Sequence, residues 1–511
     1  MMSPGFPVEQ GQQASGTIAT AFPDPQEEGL ISATFLTRAT WLLLAYFGVR
    51  MVFYALDISS FVPPDEVTHA GLCKIFSKVL LLPDNSPASY EFGLVTNTPW
   101  LYYWVMGKLL HLNFFGLSDL VFLRLLNIPL AFATVFFVQR TLRLLTRDRL
   151  AHLLLLVVMT NTAMFSLLSA SVSYDNLVDL LAAMAVYYLL AFFRYRSGGL
   201  LAAAILCQLA GSLTKATFLP LVLALDVLLL AHEFRKLGAL PSAVKGYLRA
   251  ASFKNWLPVA MVAILFGLNL HLYLGNYLHF GRLTPSMSDV FPAKIATQYR
   301  IVARETIFGD YVEGRISYMD ALVLAGDIKH PGDKADTFYL LMNYENLKRN
   351  PRLWMGPLSY AKVWFENMVG SIVGIKGHLP MFKDPWYLIP IYAVMAFSLL
   401  GFCLRWRPRE TGWLPFHLVL ISCFYAGFLL YKVNYSSYLY YGAPGITLQG
   451  RYLFPVIGPL YVLLCHYLLQ SFRVTYIRLG LALATALLFV SYDFPWFLVH
   501  ATPEWFSWLP R

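Results

Sequence analysis

The apolar residues of this chain come in long unbroken blocks, not in the alternation of a half-buried strand or the single stripe of a water-facing helix. Blocks near the length that crosses a bilayer, about 20 residues, lie at 38–57, 118–139, 150–169, 174–193, 199–214, 216–233, 256–275, 385–404, 413–431, 452–470 and 478–495. The predicted fold is an all-α integral membrane protein with eleven or so transmembrane helices. The polar start, 1–37, with its Gln and Pro residues, reads as a disordered cytoplasmic tail, 38–495 as a single transmembrane domain and 496–511 as a short outer tail. Two connections are far longer than the roughly 15 residues above which a loop is usually functional or disordered: 58–117 and 276–384. Within them 65–82 and 98–112 are amphipathic, with Trp, Tyr and Lys suited to the headgroup layer, and 352–372 is another apolar-aromatic stretch; the two loops should form a lid of juxtamembrane helices over one face.

Composition strengthens this picture and narrows the partners. Of 511 residues 58% are hydrophobic and 13% charged, against about 25% charged in a soluble domain, which excludes a disordered chain or an ordinary cytosolic enzyme. The formal charge of +10 would suggest a polyanion partner in a soluble protein; here the placement of the cations matters more, and no nucleic-acid partner is read from it. The five cysteines, Cys73, Cys207, Cys403, Cys423 and Cys465, show no metal or CxxC spacing, so neither a disulfide framework nor a cysteine metal site is expected.

Placing the tail in the cytoplasm puts Arg140, Arg143, Arg147 and Arg149, Arg194 and Arg196, Arg235, Lys236, Lys245, Arg249 and Lys254, Arg405, Arg407 and Arg409, and Arg473 and Arg478 in cytoplasmic loops. The short loops on the other side offer little beyond Lys215, Lys432 and Arg451. This bias fixes the orientation, with both long loops outside.

Candidate chemistry gathers at that outer side. In Phe61-Val-Pro-Pro-Asp65-Glu66-Val-Thr-His69 two prolines stop one helix and a new one begins at the acids. Asp65 and His69 are four apart on one helical face with Glu66 beside them, a grouping suited to proton abstraction or a divalent ion; the alternative is helix capping. Ser171-Val-Ser-Tyr174-Asp175-Asn176 forms a short outer turn with Asp179 one helical turn deeper. Acids at that depth normally face a cavity or a partner, the alternative again being a cap. Lys215, Arg451 and Arg124 run against the charge bias; snorkelling explains one such residue, whereas several at one level suit a phosphate clamp. The aromatic runs at 100–104 and 435–441 read mainly as interfacial belts.

Taken together, PPDE followed by His69, the Ser-x-x-Asp turn, Leu213-Thr-Lys215, the glycine-rich Gly374-Ile-Lys-Gly-His-Leu-Pro380 and Gln449-Gly-Arg-Tyr-Leu-Phe-Pro455 resemble an uncharacterised bacterial polytopic membrane-protein family (domain of unknown function 2142). That family is considered part of the GT-C class of integral-membrane glycosyltransferases, and the resemblance covers roughly 40–470. It implies residence in the bacterial inner membrane and a polyprenyl-phosphate sugar donor used at the periplasmic face on an envelope glycan, lipid or protein acceptor. Asp65 would be the general base of an inverting transfer, with Glu66 and His69 assisting. Lys215, Arg451 and Arg124 would bind the donor phosphate, and Asp175 and Tyr174 the acceptor. If a divalent metal ion takes part, Glu66, His69 and Asp175 would hold it; no other cofactor is implied. The competing readings are a transporter or flippase of a lipid-linked precursor, for which no convincing internal repeat is found, and a non-catalytic envelope-assembly protein.

Overall fold

The computed structural model describes residues 31–507 except 87–88, 90–91, 234–252, 293–295, 297–299, 330, 377–378, 383, 409–411 and 446–447. Residues 1–30 of the expected tail, the loop cations Arg235, Lys236, Lys245 and Arg249, Arg409, and Gly377 and His378 of the glycine-rich segment lie outside the described residues.

Among the described residues nine helices are long and apolar enough to cross a membrane, and two shorter apolar helices accompany them. In chain order the elements are α1 (Ala33–Asp57), α2 (Glu66–Ser77), α3 (Leu101–Leu110), α4 (Asp119–Leu145), α5 (Arg149–Thr160), α6 (Ala163–Leu168), α7 (Asp175–Tyr195), α8 (Gly198–Thr214) and α9 (Leu219–Glu233). After them come α10 (Trp256–Phe280), α11 (Arg300–Val312), α12 (Tyr318–Gly326), α13 (Pro331–Arg349), α14 (Pro357–Gly374), α15 (Leu388–Arg405), α16 (Leu414–Tyr441), α17 (Ile457–Gln470), α18 (Thr475–Tyr492) and α19 (Phe494–His500). All eleven predicted blocks are helical. The chain is an all-α membrane protein; after α14 a two-residue antiparallel ladder pairs Ile375 with Pro380.

Several boundaries differ from expectation, and three of them have a plain local cause. Helix α1 starts before 38, because the Ser32 hydroxyl accepts from the Phe35 amide at 3.1 Å and caps it. The block at 150–169 is broken into α5 and α6. At the break the Asn161 amide and Thr162 hydroxyl turn back to the Val157 and Val158 carbonyls, both at 2.8 Å, which satisfies backbone groups that lipid could not. Within the expected outer tail, Trp505 and Ser507 join their backbones to Ser59 and Asp57 at 2.8 and 2.9 Å, so 501–507 packs on the exit of α1.

Close packing holds the bundle. Helices α15 and α17 approach so nearly that a Cβ on Gly401 would sit 2.0 Å from the Tyr467 carbonyl oxygen, the small-residue contact that favours helix association in lipid. At one face Arg405 donates to the Gln470 carbonyl at 3.0 Å and Arg478 to Asp148 at 2.5 Å; the loops 58–117 and 276–384 lie on the other, the loop face. Within 58–117, α2 and α3 pack on each other through Phe76, Tyr103 and Met106. Within 276–384, α11 to α13 form a small cluster around Phe308 and Leu340 that also takes in Tyr441 and Ala443. Helix α14 packs on the 3₁₀ turn Gly450–Val456, where the Gly450 amide donates to Ser371 Oγ at 2.6 Å.

Candidate active site

Pro63 and Pro64 forbid a continuous helix out of α1, and the chain re-enters helical structure only at Glu66. The joint falls on Asp65, whose φ of 58° and ψ of 16° are left-handed. Among the described residues only Arg196 shares that conformation without being glycine. The capping alternative is not realised, since the Asp65 side chain makes no cap hydrogen bond to α2. Its Oδ2 accepts instead from Arg451 Nη2 at 2.9 Å, 386 positions away in sequence. The Asp65 side chain is 58% exposed and that of Arg451 3%, so an accessible carboxylate leans on a buried cation.

Arg451 stands in the 3₁₀ turn Gly450–Val456, and the glycine before it has a physical cause. A Cβ at position 450 would lie 2.5 Å from Ser371 Oγ and 2.8 Å from the Ile372 amide nitrogen, so only glycine lets the turn press against α14. From there the guanidinium reaches the first residue of α7: Arg451 Nη1 is 3.7 Å from Asp175 Oδ2. The other oxygen of Asp175 accepts from Lys215 Nζ at 2.5 Å. Lys215 follows the last residue of α8, and its ammonium also lies 4.6 Å from the Tyr174 ring centre and 5.0 Å from that of Tyr452, cation–π contacts that favour the charge. Burial by itself would lower the Lys215 pKa, but Asp175 and then Tyr174 outweigh it, so the ammonium is held above its ordinary value. Four segments thus deliver Asp65, Arg451, Asp175 and Lys215 into one alternating chain of charge.

His69 joins this cluster from α2. Its Nδ1 is 2.8 Å from the Tyr103 hydroxyl and its ring centre 4.5 Å from that of Tyr174. Burial, the largest influence, pulls its pKa down to about 4, so the imidazole is neutral at pH 7. Tyr102 and Tyr103, placed with the interfacial belt from sequence, are buried instead, and Tyr103 serves His69. Around the cluster His69 Nε2, Asp175 Oδ2, Arg451 Nε and Arg451 Nη1 are buried with no hydrogen-bond partner among the described residues. Buried polar atoms are nearly always satisfied, and four in one place suit a polar ligand. Asp179 Oδ1, one turn deeper, is in the same condition.

Two expected site residues go elsewhere. Arg124 does not join Lys215 and Arg451. Its Nε donates to Glu66 Oε1 at 2.8 Å, its Nη2 to Glu66 Oε2, and its Nη1 to the carbonyls of Ala55 and Ile58 at 3.2 and 2.7 Å. Glu66 Oε1 also accepts from the Val172 amide at 2.9 Å. Both carboxylate oxygens are therefore occupied, and burial raises the Glu66 pKa in spite of these partners. The pair pins α2 to the exit of α1 and to the turn before α7, which sets the backbone on either side of Asp65. The trio Glu66, His69 and Asp175 does not form a ligand set: no group of three His, Cys, Asp or Glu among the described residues is arranged to hold a metal ion. Breaking a buried pair from one side strands a charge at a cost of about 3–5 kcal/mol. Glu66→Gln and Arg124→Met should each lower the thermal midpoint of the purified protein, and the double variant should be more stable than the sum of the two losses implies; additive losses would contradict the pairing.

A further buried pair was not foreseen in the sequence. Arg50 of α1 donates to Asp493, at the joint of α18 and α19, and to the Thr160 carbonyl at 2.7 Å, while Ser166 donates to Asp493 at 2.8 Å. Each is an ionisable residue inside or at the end of an apolar helix, the signal that marks an intramembrane partner.

No family model matches the chain, and no curated protein matches it in sequence, so the narrower family resemblance stands on its motifs alone. Two solved structures are similar in outline. One is the archaeal oligosaccharyltransferase AglB from Archaeoglobus fulgidus, in complex with an inhibitory peptide and a dolichol-phosphate, at 12% identity and a TM-score of 0.44, covering 89% of this chain and 55% of that one. The other is ArnT from Cupriavidus metallidurans bound to undecaprenyl phosphate, at 15% identity and a TM-score of 0.34, covering 84% and 77%. The chain thus spans about half the length of the first. At such scores the chemistry has to come from this chain's own side chains.

Proposed function

We propose that the protein is an integral-membrane glycosyltransferase that moves a sugar from a polyprenyl-phosphate donor to an acceptor hydroxyl of an envelope glycan, lipid or protein. The charge bias of the loops supports a loop face on the outer side of the cytoplasmic membrane. Asp65 takes the acceptor proton, and the acceptor oxygen forms its bond to the anomeric carbon from the side opposite the lipid phosphate. The carbon–oxygen bond to phosphate breaks, its electron pair leaves on the phosphate oxygen, and configuration inverts. Arg451 and Lys215 stabilise that growing charge, where fixed cations contribute most. Asp175 holds both cations in place, and His69 Nε2 is directed to the acceptor or the sugar. Glu66 and Arg124 act as positioning residues, and no step passes through a metal ion.

The observation that carries this reading is the contact between the accessible Asp65 carboxylate and the buried Arg451, with Lys215 tied in through Asp175. A proton acceptor and phosphate-binding cations then adjoin each other at one face. In the resting state Arg451 neutralises Asp65; a donor phosphate engaging Arg451 would release the base when substrate is present. The test is to incubate the purified protein in lipid nanodiscs with a panel of polyprenyl-phosphate sugars and a hydroxyl acceptor, and to measure free polyprenyl phosphate. Release that depends on the acceptor is expected. Movement of intact donor across the bilayer with no release would favour the flippase reading and overturn this one.

A further inference from the structure

At the face opposite the candidate active site, α1, α4 and the start of α5 surround a pocket of about 470 Å³. Four arginines, Arg140, Arg143, Arg147 and Arg149, line it, and among the described residues no carboxylate does. Several of its polar groups are fixed. Gln139 and His152 bond each other through Gln139 Oε1 and His152 Nδ1 at 2.7 Å, the Arg140 guanidinium donates to the Tyr187 hydroxyl at 3.1 Å and Arg149 to the Ile31 carbonyl at 3.1 Å. Toward the membrane interior Leu44 and Phe132 are shared with a second cavity, an apolar groove of about 610 Å³ between α1 and α4 that reaches Val52 and Ile128. From Leu36 in the pocket to Val52 in the groove, α1 rises about 24 Å, within a hydrocarbon core of about 30 Å.

The loop charge bias explains why arginines sit on this face. It does not explain why they rim a cavity that continues into an apolar slot of acyl-chain length. We infer that the pocket and groove bind one anionic phospholipid, with its phosphate among Arg140, Arg143, Arg147 and Arg149 and an acyl chain along α1. Charge complementarity selects the headgroup, since planar guanidinium groups match phosphate oxygens. Continuity with the groove selects a lipid over free phosphate, and basic pockets between membrane helices are a known means of holding such headgroups. This site is separate from the Asp65 cluster and does not depend on the proposed reaction.

The full chain should be purified from membranes into nanodiscs of phosphatidylglycerol and phosphatidylcholine, released, and weighed by native mass spectrometry. Wild type should retain one phosphatidylglycerol in preference to phosphatidylcholine. Arg143→Gln with Arg147→Gln should cut that retention roughly tenfold or more. The same charge change at the exposed Arg407 and Arg473 on the same face should leave it intact. Ala45→Trp, at an exposed position on the groove, should reduce retention of both lipids by filling the slot, while millimolar inorganic phosphate should displace neither. Equal losses in the two charge variants, or displacement by phosphate, would overturn the inference.

Discussion

Asp65→Asn should abolish most sugar transfer while leaving the protein folded. The substitution keeps size, shape and an oxygen for Arg451, and asparagine tolerates the left-handed backbone at φ 58° as aspartate does. What it removes is the ability to take a proton. General base catalysis contributes about 10²–10⁴-fold, so the rate should fall by that factor with an unchanged thermal midpoint. Asp65→Ala should lose the same rate and, in addition, some stability, because alanine pays about 1–2 kcal/mol in that conformation. Full turnover in purified Asp65→Asn protein would remove the base assignment and with it the reaction.

Arg451→Gln should weaken the binding of polyprenyl phosphate by roughly ten- to a hundredfold, the effect of losing a charged hydrogen bond of about 1.5–3 kcal/mol. The protein should tolerate the change, because Asp175 keeps Lys215 at 2.5 Å. Lys215→Met should weaken binding comparably and also destabilise, since Asp175 would be left with Arg451 alone at 3.7 Å, beyond hydrogen-bonding distance. Pairing Lys215→Met with Asp175→Leu removes the stranded charge, so the double variant should recover stability without recovering affinity. Unchanged affinity in both cation variants would return Lys215 and Arg451 to the role of headgroup anchors.

How much of this was legible in the sequence depends on the range of the interaction. Spans were legible because a bilayer imposes one length on every apolar block. The candidate residues were legible because cations in the short loops of the loop face are few and acids at the ends of apolar blocks are conspicuous, which sufficed to single out Asp65, Asp175, Lys215 and Arg451 as candidates. Pairings were not: Arg124 and Glu66 are 58 residues apart and Arg50 and Asp493 are 443 apart, and no local pattern distinguishes a cation that meets a carboxylate in the core from one that waits for phosphate. Helix ends were missed where side chains substitute for the backbone, as at Asn161 and Thr162. Another was missed where a π-helical stretch, Leu429–Tyr435, carries α16 on to Tyr441, so that Lys432, expected in a short loop, lies within a helix.

The competition of Asp65 and a donor phosphate for the same guanidinium is the step on which the proposed reaction turns. Its most direct test is the dissociation constant of polyprenyl phosphate, measured in nanodiscs for wild type, Asp65→Asn and Arg451→Gln. Tighter binding to Asp65→Asn than to wild type, and weaker binding to Arg451→Gln, is the expected order. Identical constants for all three, or weaker binding when Asp65 loses its charge, would show that the carboxylate and the phosphate do not meet at Arg451.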